Sequence, residues 1–259
     1  MKDIFFLHGL PRAGNTVFSS IMNQNKDIAV TANSICADIL GEIYLLQNTD
    51  IFKNFPDHSS LENVTKNIFN NYYKDWNYKY IIDRGPVTTP GNMMLIKKHF
   101  NQPIKCVVLL RDLLDVLASY MKWYYNNPNS FINRYGYKTD DEKLGKLMNV
   151  DGAIARDLEA IKNLLKPENS HMACFVKYDD LISDPEGQLN RIYKFLEIPY
   201  FKHSFNNLSQ LQVNNRSYDD RIVGDNLHVI RTDGIYKEDN PYRSMLPQRI
   251  IDKYGHIRF

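Results

Sequence analysis

The chain has little that would tie it to a membrane, an oxidising compartment or a polynucleotide. No stretch of its 259 residues approaches the roughly 18 consecutive apolar residues of a membrane span. The apolar run in MKDIFFLHGLPR is too short for a signal peptide and leads straight into a loop, so a cytoplasmic protein is expected. Cysteine is scarce: Cys36, Cys106 and Cys174 are scattered and odd in number. That argues against a disulfide framework or a CxxC metal site and for buried free thiols. The formal net charge is only +2, which gives no reason to expect nucleic acid as a partner. Any basic site has to be built from individual residues.

Apolar residues make up 43% of the chain and charged residues 24%, ordinary values for one globular domain with a substantial core. A single domain over 1–259 is therefore expected. DIFFLH (3–8), KYIID (79–83), IKCVVLL (104–110) and HMACFVKY (171–178) read as strands. Between them lie helical patterns at Asn15–Asn25, from an N-cap at Asn33 to Leu46, from Ser59 or Leu61 to Tyr73, at Met93–Phe100, Leu113–Tyr124 and Asp151–Leu165. A last one spans Pro185–Leu196. The aromatic, turn-rich segment 124–141 reads as a long loop or lid. The polar tail 200–259 is irregular, and its stretch VIRTDGIYK is a candidate to fold back over a site.

Strands alternating with helices imply an α/β fold: a three-layer α/β/α arrangement, P-loop-containing, with a central, mostly parallel sheet. Ligands of such sheets lie beyond the carboxyl ends of the strands. HGLPRAGNT, DRGP, RDLLD and KYDD all fall at such ends.

What the first of these loops lacks is informative. GLPRAGNT has the glycine spacing of a nucleotide-triphosphate loop, with Thr16 in its hydroxyl position, but Asn15 stands where the lysine belongs. A triphosphatase needs that lysine on the transferring phosphate. Here the cation is Arg12, inside the loop, while the N–H groups of Ala13–Thr16 can still cradle an anion at a helix start. A plain strand-to-helix turn is the ordinary alternative. In CVVLLRDLLDVLASY, Arg111 leaves a buried strand and Ser119 follows it by eight residues. The two can converge on one anion, although Arg111 can equally pair with Asp112 or Asp115.

Together, GLPRAGNTVFSSIMNQN and VVLLRDLLDVLASY resemble the 5′-phosphosulfate loop and the 3′-phosphate motif of sulfotransferases that use 3′-phosphoadenosine 5′-phosphosulfate (PAPS). Leu113 replaces the proline frequent in that family. FVKYDDLISDPEGQLNRIYKFLEIP is similar to the family's RYEDL-x-x-DP segment. The spacing is closer to the bacterial-type and tyrosylprotein-sulfotransferase-like branch than to the steroid and phenol enzymes. The resemblance covers roughly Asp3–Pro199 and implies direct, metal-free transfer of a sulfuryl group from PAPS to a hydroxyl or amine, leaving adenosine 3′,5′-bisphosphate (PAP). It implies that Pro11, Arg12, Ala13, Gly14, Asn15 and Thr16 hold the 5′-phosphosulfate. By the same resemblance Arg111 and Ser119 hold the 3′-phosphate, Tyr178 lies at the base, and Arg231 and Lys237 close over the 3′-phosphate. Arg12 is the implied catalytic cation, and Arg84 stands in for a lysine that touches the bridging oxygen.

The acceptor's proton needs a base within hydrogen-bond reach. The steroid and phenol enzymes carry Lys-Thr-His after their second strand, whereas this chain has Asp83-Arg84-Gly85-Pro86 and no histidine there. Asp83 is the candidate base, with a salt bridge or turn cap as the competing role; Glu42, Asp38 and His8 are the alternatives. The lid and the Tyr72-Tyr73…Trp76 cluster are candidates for an acceptor pocket, although aromatics at helical spacing usually belong to the core. A small molecule, a carbohydrate, a lipid and a peptide hydroxyl all stay open as acceptor. A P-loop kinase and a binding protein that has lost turnover are the competing readings.

Overall fold

The computed structural model describes residues 2–237 and 239–259. Its centre is a sheet of five parallel strands, β1 (Asp3–Gly9), β2 (Ile28–Val30), β3 (Tyr80–Arg84), β4 (Cys106–Leu110) and β5 (Ala173–Lys177), in the order β2-β3-β1-β4-β5. β4 is buried at every position and β1 from Ile4 to His8. Such near-continuous apolar runs mark strands covered by helices on both faces. The fold is α/β, a central parallel sheet with flanking helices.

Strand order places the site. The chain leaves β1 toward β2 and β3 on one side and returns to β4 and β5 on the other. The connections therefore diverge between β1 and β4, which opens a crevice at their carboxyl ends. Register keeps those ends level: Leu7 pairs with Arg84, Gly9 with Leu109 and Leu110 with Lys177.

Three local features depart from the sequence pattern. β2 was not anticipated, because three residues are too short to display a period. The second helix runs over Cys36–Leu46 with Ile35 at its N-cap, so Asn33 lies outside it. The pattern ending at Tyr73 is two helices, His58–Thr65 and Ile68–Tyr72, parted by an extended Lys66 and a left-handed Asn67 (φ 58°). Asparagine is among the few residues that take that conformation at little cost.

The segment 124–141 is packed and hydrogen-bonded. The helix Leu113–Asn126 carries into it, a short helix covers Phe131–Arg134, and another begins at Asp140. Ser130 and Ile132 are buried, and the buried Tyr124 donates to Asp140 Oδ1 at 2.7 Å. Tyr73 is fully buried and packs edge-on against Tyr72 and Trp76, which makes that cluster core. All three cysteines are buried free thiols. Among the described residues no helix is long and apolar enough to cross a membrane.

Candidate active site

The turn after β1 is held by its own polar groups. Leu10 N–H donates to Leu109 of β4, and Asn15 Nδ2 reaches back to the Leu10 carbonyl at 2.8 Å. Asn15 thus spends its amide on closing the loop from inside. Arg12 and Gly14 both have positive φ, 63° and 86°. At Gly14 a side chain would be strained and would also meet the Tyr178 ring at 3.1 Å. Gly14 caps the helix Asn15–Met22 without a side-chain hydrogen bond, so the first N–H groups of that helix stay available to a ligand.

Beyond the loop lies a cavity of about 300 Å³. The first loop lines it with Pro11, Arg12, Gly14, Asn15 and Thr16; β3 adds Arg84, and β4 with its following helix adds Arg111 and Ser119. Tyr178 enters from the end of β5, and Arg231 and Asn240 from the tail. Residues spread over more than two hundred positions are thereby brought to one place. Ala13 is fully buried beneath the loop. Lys237 is exposed, pairs with Asp179 at 2.8 Å and is not part of the lining.

The lining holds Arg12, Arg84, Arg111, Lys122 and Arg231, and no carboxylate. Arg111 donates from Nη1 to the Arg12 carbonyl at 2.7 Å and lies 4.3 Å over the Tyr178 ring, while its buried Nε has no partner. Arg12 donates from Nε to Ser119 Oγ at 3.1 Å and from Nη1 to the Leu227 carbonyl. Burial, and then the Arg111 charge, pull the Arg12 pKa below its usual value. Arg84 donates to the Tyr218 hydroxyl. None of Arg12, Arg84 and Arg111 forms an ion pair among the described residues. Partly buried cations gathered without counter-charges are costly, and a polyanion would supply what they lack.

The structure orients two candidates differently from the sequence reading. Arg12, expected at the sulfuryl group, is tied to Ser119, the residue expected at the 3′-phosphate. Asp83 is fully buried and is not part of the cavity lining. Its Oδ2 accepts from Ser34 Oγ at 2.6 Å and from the Tyr73 hydroxyl. Burial outweighs these two donors and raises its pKa to about 6. Asp83 is thus held by two hydroxyl donors away from the cavity, in neither a salt bridge nor a turn cap among the described residues. Asp38 and Glu42 are exposed and also absent from the lining.

His8 lies 3.7 Å from Asp157 Oδ1. Burial lowers the histidine to about 4 and raises the aspartate to about 7, so the pair is neutral through much of the range between. His8 too lies off the cavity.

The sequence reading missed a group supplied by the tail. His228 lines the cavity. Its Nδ1 lies 2.6 Å from Asp220 Oδ1, and its backbone N–H donates to Asp220 Oδ2 at 2.8 Å. The ring stacks on Tyr218 with centroids 3.7 Å apart and planes 3° from parallel. Tyr120 and Lys122 were missed as well; a signal for Lys122 existed, since it follows Ser119 by three residues on one helical face.

A small apolar annex of about 30 Å³ opens beside Tyr178, lined by Val17, Ile21, Leu181, Ile182 and Ile235. Its dimensions and apolar walls suit part of a flat ring.

A family model for the sulfotransferase domain matches residues 2–237. The sulfotransferase domain of the curacin biosynthetic pathway has a similar fold, with a TM-score of 0.55 at 13% identity over 100% of this chain and 92% of its own. The sulfotransferase domain of the Synechococcus PCC 7002 olefin synthase is similar at a TM-score of 0.53 and 13% identity, over 100% of this chain and 96% of its own. Mouse sulfotransferase SULT7A1, solved with PAP, matches 78% of this chain at 16% identity and a TM-score of 0.48. This chain covers 60% of that mouse protein, a likeness too loose to carry weight. No curated protein sequence matches the chain. With most of its length accounted for by the family model, the chain belongs to the sulfotransferase family, whose members take a sulfuryl group from PAPS.

Proposed function

We propose that this chain transfers a sulfuryl group from PAPS to a hydroxyl or amine of an acceptor. The observation that carries the reading is the convergence on one cavity at the β1–β4 crevice of Arg12, Arg84 and Arg111, partly buried and without an ion pair among the described residues, with Arg111 Nε unpartnered. Three such cations fit a ligand with phosphates at both ends better than a single small anion. When bound, PAPS supplies the sulfuryl group and a bisphosphate leaving group.

The residues divide between the two ends. Arg111, Ser119 and Arg12, joined by hydrogen bonds, are assigned to the 3′-phosphate, where forked donors suit phosphate oxygens. The N–H groups of Ala13–Thr16, with Pro11 shaping the turn, hold the 5′-phosphosulfate. Arg84 stabilises charge developing on the bridging oxygen, which is worth most in a site closed to water. Tyr178 and the annex take the base, and Arg231 closes the mouth.

Calorimetric titration with PAP, ADP and ATP, each with and without magnesium, tests the reading. Tight, metal-independent binding of PAP with weak binding of the others is the expected result. Preference for ATP with magnesium would favour a kinase and overturn it; PAP binding with no turnover of PAPS would identify a binding protein. Lys237→Ala should leave PAP affinity unchanged within about twofold, because an exposed ion pair contributes little. A large loss in that titration would show that the tail closes further on ligand binding.

A further inference from the structure

We propose that His228, oriented by Asp220, is the general base that takes the proton from the attacking acceptor atom. The inference rests on the sulfotransferase reading above and assigns a group the family motifs in this chain do not supply.

Position comes first. His228 stacks on the ring of Tyr218, whose hydroxyl accepts a hydrogen bond from Arg84 and donates one to the Ala32 carbonyl. Arg84 and Thr16, assigned above to the bridging oxygen and the 5′-phosphosulfate, line the same cavity as His228. His228 is thus held where the acceptor must meet the sulfur. Among the residues lining this cavity it is the one side chain with a basic lone pair at neutral pH.

Orientation comes next. Asp220 grips both the backbone N–H and Nδ1 of His228, which holds the ring proton on Nδ1 and leaves the Nε2 lone pair to act. Nε2 has no hydrogen bond among the described residues. The charged groups facing the ring are Asp220 from its own loop, Arg84 from β3 and Arg12 from the first loop, with Tyr218 stacked on it. Burial and the two arginines hold the imidazole below its usual pKa against Asp220, so it is neutral, and able to accept a proton, at pH 7.

The supporting loop is braced. Trp123 Nε1 donates to the Asp225 carbonyl at 2.9 Å, Phe131 N–H to Val223 at 2.8 Å, and Arg134 to Ile222 at 2.7 Å. The segment 124–141 therefore positions the base, which a catalytic geometry requires of its surroundings.

In the step itself the acceptor oxygen or nitrogen forms a bond to sulfur as the bond from sulfur to the bridging oxygen breaks. The electron pair of that bond leaves with PAP, the acceptor proton passes to Nε2, and His228 later releases it to water. No oxidant, reductant or metal is consumed.

The test uses the full chain with PAPS, taking 2-naphthol and water in turn as acceptors, and titrates PAP calorimetrically in parallel. His228→Ala should lower kcat by about 10²- to 10⁴-fold while PAP affinity stays unchanged, and His228→Gln should behave alike. The acid limb of the wild-type pH profile should vanish in both, and added imidazole should restore turnover to His228→Ala. Asp220→Asn should lower kcat and move the acid limb to lower pH, since the carboxylate that raises the ring's basicity is gone. Full turnover in His228→Ala would overturn the assignment, as would a loss that imidazole does not rescue and that leaves the pH profile intact. Failure of the wild type to bind PAP would instead defeat the sulfotransferase reading, and the base assignment with it.

Discussion

Replacing Arg111 by alanine is expected to weaken PAP binding by about 30- to 1,000-fold, with little change in the melting temperature of the free protein. The affinity loss follows from removing charge-assisted hydrogen bonds, about 1.5–3 kcal/mol each, together with the cation over Tyr178. The small stability change follows from two opposed effects. The variant loses the bond from Nη1 to the Arg12 carbonyl. It also sheds a guanidinium whose buried Nε has no partner. Arg111→Lys should recover only part of the affinity, because a point charge on a flexible stem cannot reproduce the planar fork. Calorimetric titration beside thermal melts separates the two quantities. Undiminished PAP affinity in Arg111→Ala would mean that the 3′-phosphate lies elsewhere.

Gly224→Ala should be nearly as damaging to turnover as loss of His228, although Gly224 does not line the cavity. Gly224 has φ 111°, and a methyl group there would lie 2.3 Å from Ser130 Cα and 2.6 Å from the Asn129 carbonyl. Both obstacles are backbone, so the loop 220–229 and the segment 124–141 must separate. That movement withdraws the Leu227 carbonyl from Arg12 and the Asp220–His228 pair from the cavity. Left-handed strain and overpacking together should cost about 2–5 kcal/mol of stability. Gly136→Ala is the control: φ is 78° there, but nothing lies within 4 Å of the added methyl. Strain alone should cost about 1–2 kcal/mol and leave turnover intact. Melts and PAPS turnover on both variants check the contrast. Equal turnover of Gly224→Ala and wild type would show that the tail need not stay where it lies.

Strand alternation separates Asp83 from Arg84. Successive side chains of a strand point to opposite faces, so Asp83 and Arg84 at the end of β3 do not both face one cavity. Arg84 lines it, and Asp83 turns inward to Ser34 and Tyr73. Arg12 is a different case. Its side-chain direction depends on a positive φ in the loop, a conformation that the letters LPRAGN do not dictate.

The parts whose physics is local were legible in the amino-acid order. Apolar runs at 3–8 and 104–110 made buried strands, parallel pairing brought their carboxyl ends to one edge, and loop residues at those ends fell around one cavity. The same letters showed a cationic loop without the triphosphatase lysine, hence an anion site of another kind. The direction of Arg12, the bracing of the tail by 124–141 and the meeting of His228 with Arg84 and Thr16 around one cavity arise only in the packed fold. Those contacts join residues from 88 to 215 positions apart, most of them through an irregular tail. Such a tail has no period or motif from which its path could be read, and its course is set by packing against surfaces that exist only once the sheet has formed.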